Sequence, residues 1–205
     1  MTEAWIIELV GSPWLFVALF ALVVGDAFLV VLPSETVVVA LAALAGATGS
    51  PSLFLLLPVA ALGAIVGDSL CFLIGRAVGH DRWAWQSRGR LGATIGRVRH
   101  TVLSRPAALI FTARYIPFAR IAVNLSAGAA GMAYRRYLPL SVAAGCGWAL
   151  YNAAVGLLFG RLLSATPVLA IIVSVVVAVV LGVTIDLIVS RRHSARAARQ
   201  PAGQD

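Results

Sequence analysis

The sequence predicts an all-α integral membrane protein with a single transmembrane domain over residues 1–190. We expect an inverted repeat of a re-entrant helical hairpin plus a transmembrane helix, followed by a further C-terminal transmembrane helix. Three observations support this. Hydrophobic residues make up 60% of the 205 residues and charged residues only 12%, whereas soluble domains are roughly 25% charged. Several apolar stretches are long enough to cross a membrane. The same motifs also occur in the same order in both halves of the chain.

Four apolar stretches approach or exceed the roughly 20 residues that cross a bilayer core. They run from Pro13 to Leu32, Leu53 to Ile74, Tyr137 to Phe159 and Ala165 to Val189. The mean hydropathy of the chain, +0.95, agrees with several crossings. The residues before the first stretch include Glu3 and Glu8 but no basic group. We therefore expect no cleavable signal peptide, because that needs a basic n-region.

The basic residues, all arginines, predict the orientation of the chain. None precedes residue 76, seven lie within 76–105, two are adjacent at 135 and 136, and four lie within 191–199. Cytoplasmic loops of membrane proteins carry such an excess. We therefore expect the 76–105 loop, the 132–136 turn and the C-terminus in the cytoplasm, with 191–205 as a disordered basic tail. The net charge of +8 then serves topology and anionic lipid rather than nucleic acid.

An internal repeat relates the two halves at a shift of about 85 positions. Pro33 corresponds to Pro117, Gly46 to Gly131, and the LIGR motif at 73–76 to LFGR at 158–161. Each half reads as an apolar arm, a proline, a small-residue arm ending in glycine, and a long helix ending in Gly-Arg. The shared order indicates duplication.

The arms beside each proline are too short to cross a bilayer. In the second half they cover 107–116 and 118–131, and ten helical residues span about 15 Å, half of a bilayer core. We predict re-entrant hairpins at about 20–48 and 107–131, with helix breaks at Pro33 and Pro117. One crossing helix per repeat inverts the second copy. The length of the 13–32 stretch leaves the side of the N-terminus open.

Charged residues inside these hairpins predict a site. Intramembrane charge is costly, yet Asp26 and Glu35 lie in hairpin one, and Arg114 and Arg120 flank Pro117. If the hairpins meet tip to tip, Glu35 approaches both arginines. The arginines would bind a phosphate, while Glu35 and Asp26 would compete for them and carry protons. The alternative is a buried ion pair that only joins the hairpins.

Two further polar residues are weaker candidates for this site. Asp68 lies well inside a span, and either takes part in the site or forms a packing hydrogen bond beside Gly67. Asn124 could cap or bond across hairpin two. The two cysteines and three histidines show no metal-ligand spacing, so we expect no metal and no cofactor.

Three segments resemble the DedA family of bacterial membrane proteins, also called the SNARE-associated or VTT domain family. They are LPSETVVVALAALAG, GAIVGDSLCFLIGRAVG and FTARYIPFARIAVNLSAGAAGM, and the resemblance covers roughly residues 20–162. It implies hairpins in inverted repeats, the bacterial plasma (inner) membrane, and transport of a polyprenyl phosphate, undecaprenyl phosphate, linked to the proton-motive force. The positions carried over are Asp26, Glu35, Arg114 and Arg120.

Several functions remain open at this point. The first is a flippase for lipid phosphate, with membrane lipid and protons as partners and with homo-oligomerisation left open. The others are a proton-coupled antiporter of small cations or osmolytes, a lipid scramblase of broad specificity, and a non-transporting scaffold whose hairpin charges only hold the fold. An enzyme is not expected, because no intramembrane histidine exists and Ser34 lacks a base.

Overall fold

The computed structural model describes residues 12–29, 33–79, 100–114, 119–162, 173, 176 and 177. These described residues contain helices and connecting turns but no strand, which confirms the all-α class. Within these described ranges, six helices follow in chain order. They are α1 (Trp14–Asp26), α2 (Ser34–Thr48), α3 (Leu53–Val78), α4 (Pro106–Ala113), α5 (Ala119–Ala129) and α6 (Tyr134–Leu162). A further helical turn covers 100–104.

Among the described residues, two helices are long and apolar enough to cross a membrane, and they coincide with two of the four apolar stretches. α3 has 26 residues and α6 has 29, which corresponds to lengths of about 39 and 44 Å. Each continues through a proline at its sixth residue, Pro58 in α3 and Pro139 in α6. A proline at the sixth residue lies past the first turn, so each helix gives up one backbone hydrogen bond there.

The stretch from Pro13 to Leu32, whose length left the side of the N-terminus open, does not form one long helix in its described residues. α1 ends at Asp26 after 13 residues, and α2 starts at Ser34, immediately after Pro33. The predicted break at Pro33 therefore separates two short helices. The second predicted break, Pro117, lies outside the described residues, as do most of the Ala165–Val189 stretch and the 191–205 tail.

The short helices form two arm pairs, α1 with α2 and α4 with α5. In each pair, the second arm packs outside its own half of the chain. α2 packs mainly against α6, whereas α5 packs mainly against α3. Glycines make both approaches close: Gly160 of α6 lies against Ala43 of α2, and Gly75 of α3 lies against Leu125 of α5. The second arm of each half thus packs on the long helix of the other half.

The glycine correspondence between the halves needs a correction. Gly46, which we matched to Gly131, packs beside the backbone carbonyl of Leu157, 2.8 Å from where its Cβ would lie. The residue with that role in the second half is Gly128, which packs on α3 at Phe72. Gly131 instead ends its arm with φ +77°, as Gly49 does with φ +81°. Both pairs are 82 positions apart, so the shift differs between arms and long helices.

In the part of the chain that the structure describes, two apolar clusters form the core, and α3 runs through both. The first is centred on Leu56 and Trp148 and joins α1, α2, α3 and α6. The second is centred on Phe72 and Tyr137 and joins α3, α4, α5 and α6. The rings of Phe72 and Tyr137 stack, with their centroids 4.3 Å apart. The stretch of α3 between Ala64 and Phe72 lies between the two clusters, and it carries a single acidic residue, Asp68.

Substituting Gly128 by alanine is expected to destabilise the fold by about 3 kcal/mol. The added Cβ would collide with the backbone carbonyl of Phe72, which no side-chain rotation can relieve. The measurement is unfolding of the purified protein in mixed micelles containing increasing SDS. Gly147→Ala is the matched control on an exposed face of α6, where nothing lies within 4 Å of the new Cβ. Equal stability of the two variants would contradict the close packing of α5 on α3.

Candidate functional site

The ends of four short helices bring charged side chains to the middle of α3. Asp26 is the last residue of α1, and Glu35 is the second of α2. Arg114 follows the last residue of α4, and Arg120 is the second residue of α5. Asp68, the sixteenth residue of α3, faces this meeting point. The site is therefore built from residues at helix ends around one deeply buried carboxylate.

Arg114 and Asp68 form the most buried ion pair described. Arg114 Nη1 lies 2.5 Å from Asp68 Oδ2, and the side chains are only 3% and 2% exposed. Asn124 Nδ2 donates to Asp68 Oδ1 at 3.0 Å, and Tyr137 Oη donates to the backbone carbonyl of Asp68 at 3.0 Å. Each Asp68 carboxylate oxygen thus accepts a hydrogen bond, as a buried charge requires.

Arg120 and Asp26 form a second pair that is more open. Arg120 Nη2 donates to Asp26 Oδ2 at 2.9 Å and to the Asp26 backbone carbonyl at 2.7 Å. Ser34 Oγ also donates to Asp26 Oδ2, at 2.9 Å, which links α1 to α2 across the break. The cation lies at the C-terminal end of α1, where the helix dipole favours positive charge. The two side chains are 13% and 14% exposed.

Arg120 also approaches the first pair. Its Nε lies 3.8 Å from Asp68 Oδ1, farther than its contacts with Asp26. Asp68 is thus the carboxylate that both arginines approach. We expected Glu35 in this position, and the structure places Asp68 there instead.

Glu35 has a different neighbour. Its exposed carboxylate accepts a hydrogen bond from Trp148 Nε1 at 3.4 Å. The guanidinium carbon of Arg114 lies 5.3 Å from the centroid of the same indole ring, within the range of a cation–π contact. Among the described residues, Trp148 thus connects Glu35 to Arg114.

Two donors of Arg114 have no hydrogen-bond partner among the described residues. They are the buried Nε and Nη2 atoms. Leaving a buried charged donor unpaired is costly, and such a group in a native protein calls for an explanation, a ligand being one. Two adjacent N–H groups of a guanidinium form the fork that binds carboxylate or phosphate oxygens.

The sequence indicated most of these residues but not their partners. The structure brings together five of the predicted residues: Asp26, Asp68, Arg114, Arg120 and Asn124. The sixth, Glu35, is connected to them through the indole ring of Trp148. Trp148, Ser34 and Tyr137 were missed as neighbours of the charges. One signal was available for Asp68: it is the acidic residue deepest inside an apolar span, so it most needed a cationic partner.

The fold and this cluster define an all-helical membrane protein with arginine–aspartate pairs where the ends of short helices meet the middle of α3. The VTT domain profile matches residues 32–158, more than half of the chain. The chain belongs to the DedA family of VTT-domain proteins and is a bacterial membrane protein. Protein DedA of Escherichia coli strain K12 is 26% identical over 192 residues, covering 91% of this chain and 88% of that protein. Protein DedA of Escherichia coli O157:H7 gives the same values. No solved structure matches significantly.

Proposed function

We propose that this protein is a transporter that moves a lipid phosphate across the bacterial plasma membrane, with undecaprenyl phosphate as its cargo. The observation that carries the proposal is the buried Arg114, whose Nε and Nη2 have no partner among the described residues. A phosphate headgroup supplies the acceptor oxygens that this fork lacks. Arg120, on the more open side of the cluster, supplies a second cation.

The proposed arrangement in the membrane follows from helix length. The four short helices have 13, 15, 8 and 11 residues and so reach from about 12 to about 23 Å, less than the bilayer core of about 30 Å. As re-entrant hairpins of an inverted repeat, their breaks would meet near the midplane, where broken helices of transporters bind substrates. The C-terminus would be cytoplasmic, following the arginines.

The proposed cycle exchanges partners of Arg120. In the absence of cargo Asp26 neutralises this arginine. An incoming phosphate displaces Asp26, and a proton taken up by the carboxylate stabilises it while it is unpaired. Loss of the proton lets Asp26 recapture Arg120 and release the headgroup. Cargo and proton movement are linked in this way without any covalent step, so the protein acts as a transporter and not as an enzyme.

The test is leaflet exchange of a fluorescent undecaprenyl phosphate analogue in liposomes containing the purified protein. We expect Arg114→Gln to reduce the initial rate at limiting cargo about a hundredfold, because two charge-assisted hydrogen bonds are lost. Arg136→Gln is the matched control, since Arg136 is exposed on α6 outside the cluster, and it should exchange normally. Far-UV circular dichroism verifies folding.

The result that overturns the proposal is a wild type that exchanges no analogue with or without a pH gradient. That result would favour the antiporter of small cations or osmolytes. Equal exchange of phosphate-free lipids would favour the scramblase of broad specificity. Dependence of the wild-type rate on the gradient would support proton coupling.

A further inference from the structure

We infer that Trp148 is a positioning residue that links the exposed Glu35 to the buried Arg114 and holds the Arg114 fork open for its ligand. The part concerning the ligand rests on the proposed function. The link itself is a chain of three groups from three parts of the fold: a carboxylate on α2, an indole on α6, and a guanidinium that follows α4.

The first step is the burial of the indole. Trp148 is only 2% exposed and belongs to the first apolar cluster. A buried indole N–H needs an acceptor, and the acceptor here is Glu35 Oε1 at 3.4 Å. The N–H therefore points toward Glu35 at the start of α2, and this hydrogen bond together with the packing in the cluster restrains the ring.

The second step is the position of Arg114 relative to that ring. Its guanidinium carbon lies 5.3 Å from the ring centroid, while Nη1 is bonded to Asp68. The Asp68 carboxylate and the Trp148 ring restrain the Arg114 guanidinium from two directions. The Nε and Nη2 atoms of Arg114 donate a hydrogen bond to neither group, and both are buried without partners among the described residues. The restraints thus hold the fork in place without occupying it.

The third step is the electrostatic effect of Glu35. A carboxylate that accepts the indole N–H polarises the ring and makes its face more negative, as in cooperative hydrogen-bond chains. A more negative face attracts the guanidinium more strongly. The charge of Glu35, on an exposed residue, therefore affects an arginine that solvent does not reach. Glu35 and Asp26 then act oppositely: Glu35 strengthens the hold on Arg114, and Asp26 competes for Arg120.

The test is the side-chain Nε–H resonance of Arg114 in protein labelled with ¹⁵N-arginine, in detergent micelles without cargo. The resonance is assigned by its loss in Arg114→Lys. A ring above the guanidinium shifts it upfield. We expect Trp148→Leu to remove this shift and Trp148→Phe, which keeps a ring but loses the N–H, to retain most of it. Trp14→Phe is the control, because Trp14 is 74% exposed.

Glu35→Gln supplies the decisive comparison. It should move the Arg114 resonance downfield in the wild-type background and have no effect in the Trp148→Phe background, because the N–H that transmits its charge is absent there. An equal effect in both backgrounds would overturn the link. So would an unchanged resonance in Trp148→Leu.

Exchange assays then separate this inference from the proposed function. Trp148→Leu should raise the half-saturating concentration of the undecaprenyl phosphate analogue about fivefold and leave the maximum rate within twofold. If the wild type exchanges lipid but Trp148→Leu has an unchanged half-saturating concentration, the positioning role is wrong. If the resonances behave as expected but the wild type exchanges nothing, the link stands and the proposed function fails.

Discussion

Asp68→Ala is expected to lower the free energy of unfolding by about 3 to 5 kcal/mol, because it leaves the buried Arg114 guanidinium without its anionic partner. Among the described residues, the Arg114 side chain makes one hydrogen bond, through Nη1 to Asp68, so the variant strands a full positive charge at a side chain that is 3% exposed. Unfolding in SDS-containing mixed micelles, followed by circular dichroism, measures the loss.

The reverse truncation should cost less, which makes the prediction directional. In Arg114→Met, Asp68 keeps the hydrogen bond from Asn124 Nδ2 at 3.0 Å and the Arg120 cation at 3.8 Å. The remaining charge is therefore still compensated. Equal losses of stability for Asp68→Ala and Arg114→Met would contradict the prediction that Asp68 is the main partner of Arg114.

A double variant separates stability from transport. Asp68→Asn/Arg114→Met removes both charges, keeps an amide oxygen for Asn124, and should recover stability close to the wild type, since replacing a whole buried ion pair is often neutral. The scaffold hypothesis requires such a stable variant to function normally. The lipid-phosphate hypothesis requires it to lose exchange, because the fork of Arg114 is gone.

The helices of this fold could be predicted from the sequence to different degrees. α3 and α6 follow directly from long apolar stretches, because length and hydropathy are local properties. The break at Pro33 was predicted, but the end of the 13-residue α1 at Asp26 was not, since a local hydropathy pattern does not show where the helix ends. There the Asp26 backbone carbonyl accepts a hydrogen bond from Arg120, 94 positions away. Only the tertiary fold supplies that partner.

The partners within the site were harder to predict than its members. Proline and charge in one apolar segment indicated Arg114 and Arg120, because intramembrane charge demands a reason. Which carboxylate meets them depends on the exchange of arms between the halves, with α5 packing on α3 and α2 on α6. That exchange brings Asp68 under both arginines and leaves Glu35 with Trp148. Spacing along the chain contains no information about it.

The second large effect is expected for Asp26→Asn, which should tighten cargo binding while slowing transport. Asp26 competes for Arg120 through its carboxylate at 2.9 Å, and the amide removes the competing charge. Arg120 stays in place through the backbone carbonyl of residue 26. We expect the half-saturating concentration of the undecaprenyl phosphate analogue to fall about tenfold, and the maximum exchange rate to fall at least as much.

This opposite movement of affinity and rate follows from what release requires. A headgroup held by two arginines leaves quickly only if the Asp26 carboxylate pairs again with Arg120. Asp26→Glu keeps a carboxylate at this position and is therefore the control for the release step. Glu35→Gln provides a contrast, since its loss should weaken binding through Trp148. In the antiporter hypothesis Asp26 is instead a cation and proton site, so Asp26→Asn would abolish coupling without changing affinity for a phosphate. Weaker or unchanged phosphate binding in Asp26→Asn would therefore contradict competition between Asp26 and the cargo for Arg120.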